Sequence, residues 1–103
     1  MVDAGGAVAV ARSLVTGKAV GSGLCAVPRE GVTELAAVGV LSTYRHRGIA
    51  AAIIGHLATT AFANRVRLIW LTAEHNEELR AAERAGFRLT GDRMIHISQW
   101  LKQ

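Results

Sequence analysis

The hexapeptide Arg45-His46-Arg47-Gly48-Ile49-Ala50 is the segment where residue type and spacing come closest to a chemistry. It lies between the end of a predicted strand and the predicted first turn of a helix. There the leading backbone N–H groups lack internal partners, and about half a positive charge of the helix dipole points outward. Gly48 permits close approach of a ligand, Ala50 keeps that approach open, and Arg45 and Arg47 add charge, so a pyrophosphate would fit. Read alone, the same string is equally a solvated basic turn ahead of a helix. It is not a Walker loop, because no Gly-Lys-Ser/Thr closes it, and not a Rossmann fingerprint, because the third glycine is absent.

The elements that must hold this segment follow from the hydrophobic period. Ala7 to Leu14 and Ala19 to Ala26 are apolar, valine-containing runs separated by Val15-Thr16-Gly17-Lys18, whose glycine suits a hairpin turn. Pro28-Arg29-Glu30-Gly31 makes a second turn, and a third run, Val32 to Val40, ends at Leu41-Ser42-Thr43. From Gly48 the period lengthens to about 3.6, with Ile49, Ile53, Leu57 and Ala61 at four-residue steps, which predicts an amphipathic helix to about Ala63. Asn64-Arg65 breaks that pattern, and Val66 to Thr72 reads as a buried strand, so a right-handed parallel crossover is expected. A second helix is predicted over Asn76 to Arg84, acidic at its start and basic toward its end, with Gly86 at the C-cap. Phe87 to Leu89 and Met94 to Trp100 form a last pair of strands around Thr90-Gly91-Asp92-Arg93. The order is β-β-β-α-β-α-β-β, an α/β (α+β) class with a mixed, mainly antiparallel sheet and two helices.

The chain has 103 residues, half of them hydrophobic and 19% charged, which suits one domain over residues 1–103 and excludes disordered and fibrous classes. A chain of this size buries roughly 65% of its unfolded surface. The apolar stretches around Ile49 to Leu57 and Leu68 to Leu71 fall short of the roughly 20 residues of a membrane span, and Met1-Val2-Asp3 supplies no basic flank of a signal segment. A soluble, cytoplasmic protein without a membrane partner is expected. Cys25 is the one cysteine and the four histidines are scattered, so neither a disulfide nor a metal is expected. The net charge of +4 invites a nucleic-acid reading, but the basic residues are spread from Arg12 to Lys102, and one short cluster suits a small phosphorylated ligand better.

The stretch from Val38 through Gly39, Val40, Tyr44 and the hexapeptide to Ile53 resembles the acyl-CoA-binding core of the GNAT superfamily of N-acyltransferases. That family carries Arg/Gln-x-x-Gly-x-Gly/Ala after a strand, and Arg45, Gly48 and Ala50 are the matching positions. Glu83-Arg84-Ala85-Gly86-Phe87-Arg88 resembles the end of the family's last helix and its Gly-Phe passage into the next strand, and the resemblance runs from about Val8 to the end. It implies a GNAT-like fold and acetyl transfer from acetyl-CoA, a cosubstrate, to an amine by direct attack. On this basis Arg45, His46, Arg47, Gly48, Ile49 and Ala50 would cradle the pyrophosphate. Val38, Gly39 and Val40 would run beside the pantetheine, with a backbone N–H, that of Val40, for the oxyanion. The amine must lose a proton, and Glu34, on the same strand, is the first candidate base; an outward-facing strand carboxylate is its plain alternative. Glu74 and His75 are further candidates, which helix-start solvation explains as well.

Two features depart from the family pattern. Many members carry a tyrosine four residues before the glycine of Gly-Phe, able to protonate the departing thiolate; here that position is Ala82, and Tyr44 is no like-for-like replacement. The resemblance also begins at the family's second strand, which leaves an apolar sheet face to be covered. A homodimer, or a fragment of a longer parent chain, is expected. A catalytically weak or silent acyl-CoA-binding module is the second functional reading, and a small basic nucleic-acid-binding protein, supported by charge alone, is the third. Cys25 reads as a buried strand residue, His56 as solvated, Trp70 and Trp100 as core or interface anchors, and His96 as either core or surface.

Overall fold

Valine-rich segments broken by turn-forming residues build the first three strands of the computed structural model, which describes residues 6–73 and 75–89, and the backbone of 94–98. The strands are β1 (Ala7–Arg12), β2 (Ala19–Cys25) and β3 (Val32–Val40). A short 3-10 turn (Ser42–Tyr44) leads to α1 (Ile49–Ala63), then β4 (Leu68–Thr72), α2 (Asn76–Arg84), β5 (Arg88–Leu89) and β6 (Met94–Ser98). They form one sheet of order β1-β2-β3-β4-β6-β5, in which β3 and β4 run parallel across α1 and the other described pairs are antiparallel. The predicted fold class and element order are both present.

The boundaries differ where local bonds compete with the ladder. The Ser13 hydroxyl accepts from the N–H groups of Val15 and Thr16, each at 3.2 Å, and Gly17 takes φ 75, so β1 closes at Arg12 and Leu14 and Val15 lie in solvent. Val66 donates to Ala61 O and Arg67 to Gly31 O, which holds both outside β4 although Val66 is buried.

Both helices cover one face of the sheet. Ile53, Ile54, Leu57, Ala58 and Ala61 of α1 and Ala81 and Ala82 of α2 pack with Leu35, Ile69 and Leu71 of the strands and with Phe87. Full burial of a side chain such as Leu57 contributes about 1.5–3 kcal/mol. Two glycines of β2 set how closely α1 approaches. A Cβ at Gly21 would stand 3.0 Å from Ile53 Cδ1, and one at Gly23 would stand 3.0 Å from Ile53 Cγ2 and 3.2 Å from Leu57 Cδ1. That close approach seats the first turn of α1 beside the end of β3. The opposite face is open: Val8 is 58% exposed, Val10 48% and Leu24 36%, and Val8 and Leu24 are cross-strand partners.

The middle of β3 is irregular. Ala37 has φ 57 and the β2–β3 register slips between Ser22 and Leu24, which is a β-bulge. Before it, Thr33 and Leu35 face the helices; after it, the parity is reversed and Val38 and Val40 pack against the core. β3 and β4 pair through Val32–Leu68, Thr33–Ile69 and Glu34–Trp70, and among the described residues no partner follows. The two parallel strands therefore part after Glu34.

Candidate functional site

A cavity of about 470 Å³ opens where the strands part. Its base is Val38, Gly39 and Val40; one wall is Tyr44, Arg45, His46, Gly48, Ile49, Ala50 and Ala51; the other is α2 with its N-cap His75, through Asn76, Glu77, Glu78, Arg80, Ala81 and Arg84.

Leu41 N donates to Val20 O at 2.8 Å, which makes Val40 and Gly21 a non-hydrogen-bonded pair and turns the Val40 N–H and C=O away from β2, toward the side where β4 has separated. The Val40 carbonyl accepts from Arg45 Nε at 3.4 Å. Gly48, at φ 79, caps α1 with no side-chain bond to its first N–H groups, and no acidic residue stands in its first turn. The α2 start is the opposite case, with Glu77 and Glu78 in its first turn. The first turn of α1 thus offers its dipole no carboxylate of its own, where that of α2 carries two.

An ion pair links the two walls. His46, itself at φ 63, places Nε2 3.3 Å from Glu77 Oε2. Both groups are largely in water, so the contact adds little stability. Arg47 does not line the cavity; its guanidinium lies over the Tyr44 ring, 5.0 Å from the centroid.

The structure therefore brings Val38, Val40, Arg45, His46, Gly48, Ile49 and Ala50 to one cavity, with Arg47 beside it. Glu34 stands apart. It is half-buried, directly across from Trp70 on the sheet face turned away from the helices, at the last rung before β3 and β4 part. His75 lines the cavity, while Glu74 lies outside the described residues. Ala82 is fully buried in the core and takes no part in the lining. Cys25 is buried, and burial pushes its thiol up to about 11, which keeps it protonated at neutral pH. His56 is exposed, Trp70 is half-buried, and Trp100 and the His96 side chain lie outside the described residues.

Sequence reasoning did not anticipate the α2 wall. The signal was present: Asn76, Arg80 and Arg84 recur at four-residue steps and so share one helix face. What periodicity could not give was which face turns toward the cavity.

Residues 3–87 match the acetyltransferase (GNAT) family. No curated protein matches the sequence. Among solved structures, the chain is similar to a GNAT superfamily phosphinothricin acetyltransferase from Sinorhizobium meliloti in complex with AcCoA, with TM-score 0.81, 16% identity, and 93% of this chain and 62% of that chain covered. An aminoglycoside 6′-N-acetyltransferase complexed with coenzyme A superposes with TM-score 0.79 at 14% identity, covering 95% of this chain and 75% of that one. An acetyltransferase of the GNAT family from Staphylococcus aureus gives TM-score 0.77 at 16% identity, with 94% and 70% covered. At these identities the likeness is one of fold, and the chain spans between 62% and 75% of the length of the three structures.

Proposed function

The chain belongs to the acetyltransferase (GNAT) family, and from that membership together with the parting of β3 from β4 we propose that it transfers acetyl from acetyl-CoA to an amine. The observation that carries this reading is the pairing of two sets of outward-directed backbone N–H groups in one cavity, those opening α1 and that of Val40. The first set suits a pyrophosphate, with the Arg45 guanidinium alongside. The second suits the oxygen of a thioester carbonyl, whose negative charge grows as the tetrahedral intermediate forms.

In this reading Glu34 takes a proton from the acceptor amine. Its place at the crotch of the split gives it to the open sheet face, so the acceptor approaches from the side opposite the helices while CoA lies between α1 and α2. The amine nitrogen bonds to the carbonyl carbon, the C–S bond breaks, and the thiolate leaves, its pKa of about 8.5 making water an adequate proton donor where Ala82 offers none. That alanine favours the second reading, a module that binds acyl-CoA without turning it over.

Calorimetric titration of the folded protein with acetyl-CoA, followed by thiol release across a panel of amines, tests the proposal. Saturable one-site binding and thiol release with at least one amine are expected. Binding without release from any amine would select the silent module, and absence of binding would overturn both.

The open face around Val8, Val10 and Leu24 further suggests a second copy or additional polypeptide packed upon it. Light scattering at micromolar concentration is expected to return more than the 10.9 kDa of one chain. A stable monomer would remove the dimer.

A further inference from the structure

Two guanidinium groups of the α2 wall are left unexplained by the pyrophosphate cradle and the thioester. Arg80 and Arg84 both line the cavity, are exposed, and lie one helical turn apart, about 6 Å along the axis. Among the described residues neither has an ion-pair or hydrogen-bond partner. The acids of the same wall are at its other end: Glu77 and Glu78 occupy the first turn of α2, and Glu77 is engaged by His46. The wall is therefore sorted by charge, with its cationic half facing the same cavity as the uncapped α1 start and Arg45.

A ligand filling this cavity then meets cationic groups on both walls, Arg45 on one and Arg80 and Arg84 on the other. A pyrophosphate accounts for the α1 side. CoA carries one further anionic group, the phosphate on the 3′ position of its ribose, and two guanidinium groups one turn apart can both donate to a single phosphate. We propose that Arg80 and Arg84 form a subsite for that 3′-phosphate, so that this protein selects CoA over 3′-dephospho-CoA. The inference rests on the acyl-CoA reading given above. The simpler role for two arginines late in a helix is to complement its dipole. That role stabilises α2 but cannot distinguish two nucleotides that differ by one phosphate.

The test is titration of the wild-type protein and of the Arg80→Ala/Arg84→Ala double variant with CoA and with 3′-dephospho-CoA, in low-salt buffer so that exposed charges are little screened. Wild type is expected to bind CoA about tenfold or more tightly than 3′-dephospho-CoA, a difference worth about 1.4 kcal/mol. The double variant is expected to bring the ratio to within about twofold of unity while keeping its affinity for 3′-dephospho-CoA, because the α1 side is untouched. Arg80→Lys/Arg84→Lys is expected to keep part of the preference, since charge survives without the forked geometry. A wild-type ratio near one overturns the subsite and leaves the acyl-CoA reading intact. So does a double variant that loses affinity for both nucleotides equally, which would assign the arginines to the pyrophosphate or to helix stability. Binding of neither nucleotide by folded wild type overturns the acyl-CoA reading itself, and this inference with it.

Discussion

Gly48→Asp is expected to weaken acetyl-CoA binding by about 100-fold or more, while Gly48→Asn costs about tenfold or less. The pair is chosen because Gly48 has φ 79, in the left-handed region where most side chains are strained and where Asn and Asp are the best tolerated. No atom lies within 4 Å of a Cβ built at this position, so neither side chain meets a steric wall in the free protein. The two variants share shape and backbone cost and differ by one negative charge at the start of α1. Two unit charges 4 Å apart interact by about 1 kcal/mol in bulk water and about 4 kcal/mol at the effective dielectric of a protein surface, which brackets the expected difference. Calorimetric titration reads the affinities, and melting curves should show the Asp variant at least as stable as the Asn variant, since a carboxylate at a helix start favours the fold, so its weaker binding cannot come from unfolding. Equal losses of affinity in Asn and Asp would mean that the α1 start does not hold the pyrophosphate.

Glu34→Gln is expected to lower kcat by about 10²-fold or more at pH 7, the range usual for removing a general base, while leaving acetyl-CoA affinity within about twofold. The carboxylate sits on the face away from the cavity, so its loss should not disturb the nucleotide side. An acceptor amine of lysine type has an unperturbed pKa near 10.4 and is mostly protonated at pH 7. Without a base, the rate depends on the small neutral fraction, which grows with pH; the deficit of the variant should therefore shrink as pH rises toward 10. A pH–rate profile collected for both proteins checks this. An unchanged profile removes Glu34 from the chemistry and leaves it a strand carboxylate opposite Trp70.

The wall contributed by α2 shows where legibility ended. The helix over Asn76–Arg84 was readable from its acidic start, its basic end and Gly86. Its contribution to the cavity was not, because Arg80 and Arg84 serve a helix dipole and a ligand equally well until a second wall is known to face them. Ala82 illustrates the same limit. The sequence presents it as a missing proton donor, and the structure finds it in the core, packed with α1.

By itself the sequence determined the secondary elements and their order, because those depend on period, turn residues and caps within about fifteen neighbours. The change from alternation to four-residue steps at Gly48 marked the passage from β3 to α1, and the glycine and basic residues there marked a segment most of which lines the cavity. Only the tertiary structure decided three further matters. The bulge at Ala37 reverses which side of β3 faces the helices, and Ala36-Ala37-Val38 carries no local signal for it. The parting of β3 from β4 after Glu34 turns the Val40 N–H toward a cavity rather than a neighbouring strand. The approach of α2 supplies a wall that is acidic at its start and cationic toward its end. Each depends on which strand lies beside which and on how closely Gly21 and Gly23 let α1 settle on the sheet. Those contacts join residues far apart in the chain, and their energies are set by packing, which no local pattern of residue types encodes.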